Sequence, residues 1–214
     1  MNTGPGHRFL AAACLTAALL TSSAIARSAG EGPAQVIDAV WKIQSFDFHY
    51  QGRGTTYSCG ALRDRLRSIL MGVGAQDTII VRTIGCYDLS DLARVHVIMA
   101  SPVEATPENV RALTQHDSED ELIARMQGVS LATAADIERF PAIWSTVSMS
   151  RDKRLKLAPG DCELVQQLRR EVFPLLSVRI VQDNLHCSNA FGNIGRPQLA
   201  VSALIAATDH RERR

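Results

Sequence analysis

The 214-residue chain lacks the short motifs that announce a common chemistry. No C-x-x-C occurs, which removes the thioredoxin-type redox signature and the close cysteine pairs from which thiolate zinc sites draw their ligands. No G-x-S-x-G elbow is present, and Gly72, Gly74 and Gly85 form neither a P-loop nor a dinucleotide fingerprint. Asp47, Asp64, Asp88 and Asp91 show no spacing that marks a glycosidase pair. A formal net charge of +1 offers no basic surplus for nucleic acid or an anionic membrane. No N-x-S/T sequon appears, and the apolar run Phe9–Leu20 is shorter than the ~20 residues a spanning helix needs.

That run is instead the middle of a signal peptide over residues 1–26, with Arg8 ahead of it and Ala24-Ile25-Ala26 at the cleavage end. The short, weakly charged leader is bacterial in style. Its removal takes Cys14 and leaves four cysteines, an even count suited to paired thiols in an oxidising compartment. The mature chain, 27–214, is therefore expected to be one periplasmic or extracellular domain with two disulfides and no integral membrane segment.

An internal echo organises that domain. Val40-Trp41 recurs as Ile143-Trp144 and Cys59 recurs as Cys162, both 103 positions on, each cysteine preceded by a good helix cap, Ser58 or Asp161. Strand periodicity over 43–50 puts Phe46, Phe48 and Tyr50 on one face and Asp47 and His49 on the other. A helix follows from Cys59 on Leu62, Leu66, Ile69 and Leu70, then a buried strand over 78–84 and another over 95–99. The second half repeats the order with a strand over 143–149, a helix over 162–173 ended by Pro174, and strands over 177–181 and 199–204. The fold class is α+β: a duplicated β-α-β-β unit (40–101 and 143–206) forming a mixed sheet with helices on one face. A polar helical connector, 102–142, carries a capping box at Ser118–Glu121, and residues 207–214, which include His210, are a tail.

In a β-α-β unit the helix start and the end of the following strand reach the same sheet edge. Cys59 is thus expected to pair with Cys86 and Cys162 with Cys187, partners 27 and 25 positions apart. The long loop 189–195 then precedes the last strand of the second unit.

Candidate chemistry is sparse. His49, His96 and His186 fall on or beside strands, where imidazoles sharing a sheet face could converge on copper or zinc. Arg63, Arg65, Arg67, Arg169 and Arg170 would make a basic stripe for an acidic partner if the two helices lie side by side. No catalytic residue and no cofactor is assigned. Trp41 and Trp144 are expected at equivalent positions, and the cleft between the halves is the expected binding surface. The reading that follows is an exported, disulfide-stabilised, non-enzymatic binding or interaction protein with an unknown protein or small-molecule partner. A periplasmic copper or zinc protein and a small secreted hydrolase are the alternatives.

Overall fold

The first strand begins before the alternating segment 43–50, and β1 runs the whole of Val36–Gln51, with the successive residues Ala39 and Val40 both buried. The computed structural model describes residues 35–86, 88–187 and 196–208. The leader with Cys14, the whole of the loop 189–195 and the tail residues from 209 on, His210 among them, lie outside the described residues. After β1 come β2 (Tyr57–Ser58), α1 (Cys59–Gly72), β3 (Ile80–Ile84), β4 (Leu89–Ser90) and β5 (Leu92–Glu104). The connector holds α2 (Pro107–Leu113) and α3 (Ser118–Gln127). The second half holds β6 (Arg139–Ser148), α4 (Cys162–Glu171), β7 (Val178–Asp183) and β8 (Leu199–Ala206). The class is α+β, with four α-helices among the described residues.

Six strands form one sheet in the order β3-β5-β1-β6-β8-β7, while β2 and β4 pair separately. The expected mixed sheet resolves into one whose pairings all run antiparallel. β1 and β3 do point the same way, as a helical crossover requires, but β5 enters between them after a short return through 85–91. β8 separates β6 from β7 in the same manner. Insertion also leaves β3 and β7 at the sheet edges. The segment read as a buried strand over 78–84 is therefore half-exposed: Val81 is buried, but Ile80, Arg82 and Ile84 are open to solvent.

The two halves meet through β1 and β6, whose register has a local two-fold. Val36 faces Ile143, and the residues related to them by the 103-position offset, Arg139 and Val40, also face each other. Asp38 and Pro141, equivalent under that offset, face each other at the centre. The ladder stops after Val40 and Ile143, and the strands diverge into a fork.

Helices cover one sheet face. Leu62, Leu66, Ile69 and Leu70 of α1 and Leu164, Val165 and Leu168 of α4 are buried with Phe48, Tyr50, Val95, Val97, Val201 and Ile205 in one core drawn from both halves. Ser58 caps α1 by accepting from the Ala61 amide at 3.2 Å. Asp161 does not cap α4, because its carboxylate is engaged elsewhere, as described below. The connector's capping box is shifted by one residue: Asp117 accepts from the amides of Glu119 and Asp120, and Asp120 accepts from the Asp117 amide, so Ser118 is already inside the helix.

Both disulfides join the expected partners, Cys59 with Cys86 and Cys162 with Cys187, with Cα separations of 5.8 and 5.7 Å. Each ties a helix start to the far end of the following edge strand or the chain just past it.

Candidate functional site

His49 and His96 lie on the helix-free face, at diagonal positions on neighbouring strands: His49 faces Arg94 and His96 faces Asp47. His96 Nδ1 is 3.0 Å from Asp47 Oδ1, its Nε2 is 3.4 Å from Ser45 Oγ, and Arg94 donates to Asp47 Oδ2 at 2.6 Å. The Arg94 and His96 hydrogen bonds hold the Asp47 carboxyl below its usual range. His49 lines a cavity of about 350 Å³ at the fork, together with Cys187, the neighbour of His186. Among the described residues, no three His, Cys, Asp or Glu side chains gather into a set that could hold a metal.

The five arginines do not form a free stripe. Arg63 pairs with Asp64 at 3.2 Å, Arg65 with Asp161 at 3.2 Å, Arg169 with Asp183 at 2.5 Å and Arg170 with Glu171 at 3.2 Å. Arg67 donates to the carbonyls of Ile79 and Asp77. Their charge is spent on holding loops and neighbours in place.

Sequence reasoning missed a polar seam where α4 fills the fork. Asp161, Glu163 and Gln167 are all buried. The Gln167 amide accepts from Gln51 N–H at 2.9 Å and donates to Gln51 C=O at 2.7 Å, standing in for the strand that β1 lacks there. Glu163 Oε2 accepts from the amides of Arg53 and Gly54 at 2.9 and 3.1 Å. Asp161 Oδ1 accepts from the Tyr57 hydroxyl at 2.5 Å, while Oδ2 accepts from the Ala158 amide at 2.6 Å and faces Arg65. Every one of these groups is answered by a partner in the fold, so the seam is a joint.

A second polar group, on the sheet face opposite α1 and α4, differs in staying open to solvent, with the Arg179 and Glu104 side chains 67 % and 39 % exposed. A cavity of about 510 Å³ spans both halves and is lined by Ile37, Asp38, Glu104, Trp144, Arg179 and Ser202 among others. The Trp144 indole N–H donates to Glu104 Oε1 at 2.9 Å. The Arg179 guanidinium lies 3.9 Å from the Trp144 ring centroid and 3.6 Å from Glu104 Oε1. This places a cation over an indole whose orientation is fixed by a carboxylate.

Trp41 holds the matching register position, facing Pro102 as Trp144 faces Leu204. Its surroundings differ: Trp41 stacks on Phe140 with ring centroids 4.4 Å apart. At the 103-residue offset Phe140 corresponds to Ile37, and the sheet registers match Glu104 to Ala206, while β3 begins at Ile80 and has no ladder residue at the place of Arg179. One tryptophan is closed by an aromatic partner, and the other carries the charged pair. Nothing in the local sequence around Glu104 or Arg179 marks them; only the tryptophan echo pointed to this surface. The chain matches no known protein family, no curated protein and no solved structure at a significant level.

Proposed function

We propose that the protein is an exported, disulfide-stapled, non-enzymatic binding protein whose ligand enters the pocket beside Trp144. The observation that carries this reading is the Trp144–Glu104–Arg179 group, because the half of the fold built on Trp41 does without it. The two disulfides and the lack of a described helix long and apolar enough to cross a membrane are compatible with export. The β1·β6 register and the shared strand order support descent of the two halves from a duplicated unit.

The pocket favours a cationic group. Arg179 already occupies the cation–π position, and Asp38 and Glu104 against Arg179 leave these charged lining residues with one net negative charge. The chain has two tryptophans, so Trp41→Phe leaves Trp144 as the single fluorescent reporter. Titrating that protein, as secreted by its host, with arginine methyl ester and with spermidine should change its emission saturably. Glu104→Gln should weaken the response roughly tenfold, and Arg179→Ala, which removes the internal competitor, should strengthen it. A flat titration with both probes overturns the cationic assignment; a full-length chain retained in the cytoplasm overturns export.

The alternative, binding of copper or zinc by strand histidines, has His49, His96 and Asp47 on one sheet face but no set of three ligating side chains among the described residues. Stoichiometric metal that is lost in His49→Ala or His96→Ala would establish it in place of the first.

A further inference from the structure

Two opposite charges line one cavity of this protein without meeting. It is the cavity of about 350 Å³ at the fork, between α4 and the loop after β1. Its size is at the small end for ligand cavities, which run from about 300 to about 1,000 Å³. Most of its polar lining is already engaged within the fold. Gln51 and Gln167 answer each other, Arg170 pairs with Glu171, and Cys187 is held in its disulfide.

One acceptor and one cation remain. The joint engages Glu163 through Oε2 alone, which takes both amide bonds from Arg53 and Gly54. Glu163 is only 5 % exposed, yet its Oε1 accepts no hydrogen bond among the described residues. A buried carboxylate oxygen left without a donor is costly, so it marks a place for one from outside the fold. The Arg53 side chain lines the same cavity and has no ion pair or hydrogen bond among the described residues, with Glu163 or with any other group. Its loop is held in place all the same. The Tyr50 hydroxyl donates to the Thr55 carbonyl at 2.7 Å, the Gly52 amide to that of Asp91 at 2.6 Å and the Thr55 hydroxyl to that of Gly160 at 3.0 Å. Both groups are thus positioned before any ligand arrives.

The charged lining residues Arg53, Glu163, Arg170 and Glu171 cancel, so a ligand that bridges the first two without upsetting the balance carries one charge of each sign. An ammonium satisfies Oε1, and a carboxylate pairs with the guanidinium. We infer that the cavity binds a free α-amino acid, its ammonium donating to Glu163 Oε1 and its carboxylate accepting from Arg53. Gln166 and His49 also line it with side chains that have no partner among the described residues, which favours a polar amino-acid side chain over an aliphatic one. This cavity shares no lining residue with the Trp144 pocket.

Isothermal titration calorimetry of the secreted protein with L-serine and L-glutamine tests this. At least one of them should bind saturably. The N-acetyl derivative of the amino acid that binds lacks the ammonium, and its α-carboxamide lacks the carboxylate. Each should bind at least about tenfold more weakly, the effect of losing a hydrogen bond to a charged group. Arg53→Ala should weaken binding of the parent amino acid by about the same factor. That position is exposed and its side chain supports nothing in the fold, so the variant's thermal melt should match the wild type. Glu163→Gln, which keeps an acceptor for the Arg53 and Gly54 amides, should weaken binding as well. A wild type that gives no saturable heat with either amino acid up to about 10 mM overturns the inference. An N-acetyl derivative that binds as tightly as its parent overturns it too, as does wild-type affinity in Arg53→Ala.

Discussion

The Tyr57 hydroxyl donates to Asp161 Oδ1 at 2.5 Å, joining the strand that opens the first helix to the turn that opens the last. Residues 104 apart in sequence thereby share one buried hydrogen bond. Arg65 from α1 completes the carboxylate's surroundings at 3.2 Å. Tyr57→Phe keeps the ring and leaves the buried carboxylate short of a donor. The expected loss is about 1–3 kcal/mol of unfolding free energy, read from urea denaturation.

Alkaline pH acts on the same bond. Burial first, then the hydrogen bond to Asp161, pushes the Tyr57 hydroxyl well above its ordinary 10.0. Burial raises Tyr50 in the same direction. Below pH 10 both folded and unfolded chains keep these protons, and stability is unaffected by them. Above it the unfolded chain releases protons that the fold retains, so unfolding is increasingly favoured. Urea midpoints measured from about pH 8 to about pH 12 should stay level and then fall. Tyr57→Phe should flatten that fall.

The two disulfides close loops of similar length, 27 and 25 residues. Replacing both cysteines of either pair by alanine should cost about 3–4 kcal/mol by loss of loop constraint. The Cys162–Cys187 replacement should cost somewhat more, because Cys162 is itself a buried core residue. Peptide mapping without reductant should recover only the 59–86 and 162–187 links, and a 59–162 link would contradict the structure.

Gly74 follows α1 with φ of +108°, and a Cβ there would lie 2.4 Å from the Leu204 carbonyl oxygen. Both conformation and space oppose a side chain. Gly74→Ala should destabilise by more than about 1 kcal/mol, whereas Gly85→Ala, with φ of +64° but open space around it, should cost less. Parallel thermal melts of the two variants check the ordering.

What the sequence makes legible is the local and the periodic. Alternation at Phe46, Phe48 and Tyr50 sets the faces of β1, and the spacing of Leu62, Leu66 and Ile69 sets the buried stripe of α1. The cysteine pairing follows because helix starts and strand ends are placed by topology even when the sheet order is not known. Insertion of β5 between β1 and β3 is set by a short return at 85–91 and by long-range pairing, neither of which leaves a periodic trace. Asp161 reads as a helix cap because capping and cross-chain ion pairing use the same side chain. Glu104 and Arg179 are 75 positions apart and meet only across the completed sheet.

The short β1·β6 ladder has a consequence for how the chain holds together. Its two-fold register is the kind that identical subunits use, and the core beneath it is continuous from one half to the other. The two halves are tethered through residues 105–138, which hold them at high effective concentration. A protease that cuts only within that tether should leave the folded molecule intact. Once the nicked molecule unfolds, its recovery becomes a bimolecular reaction.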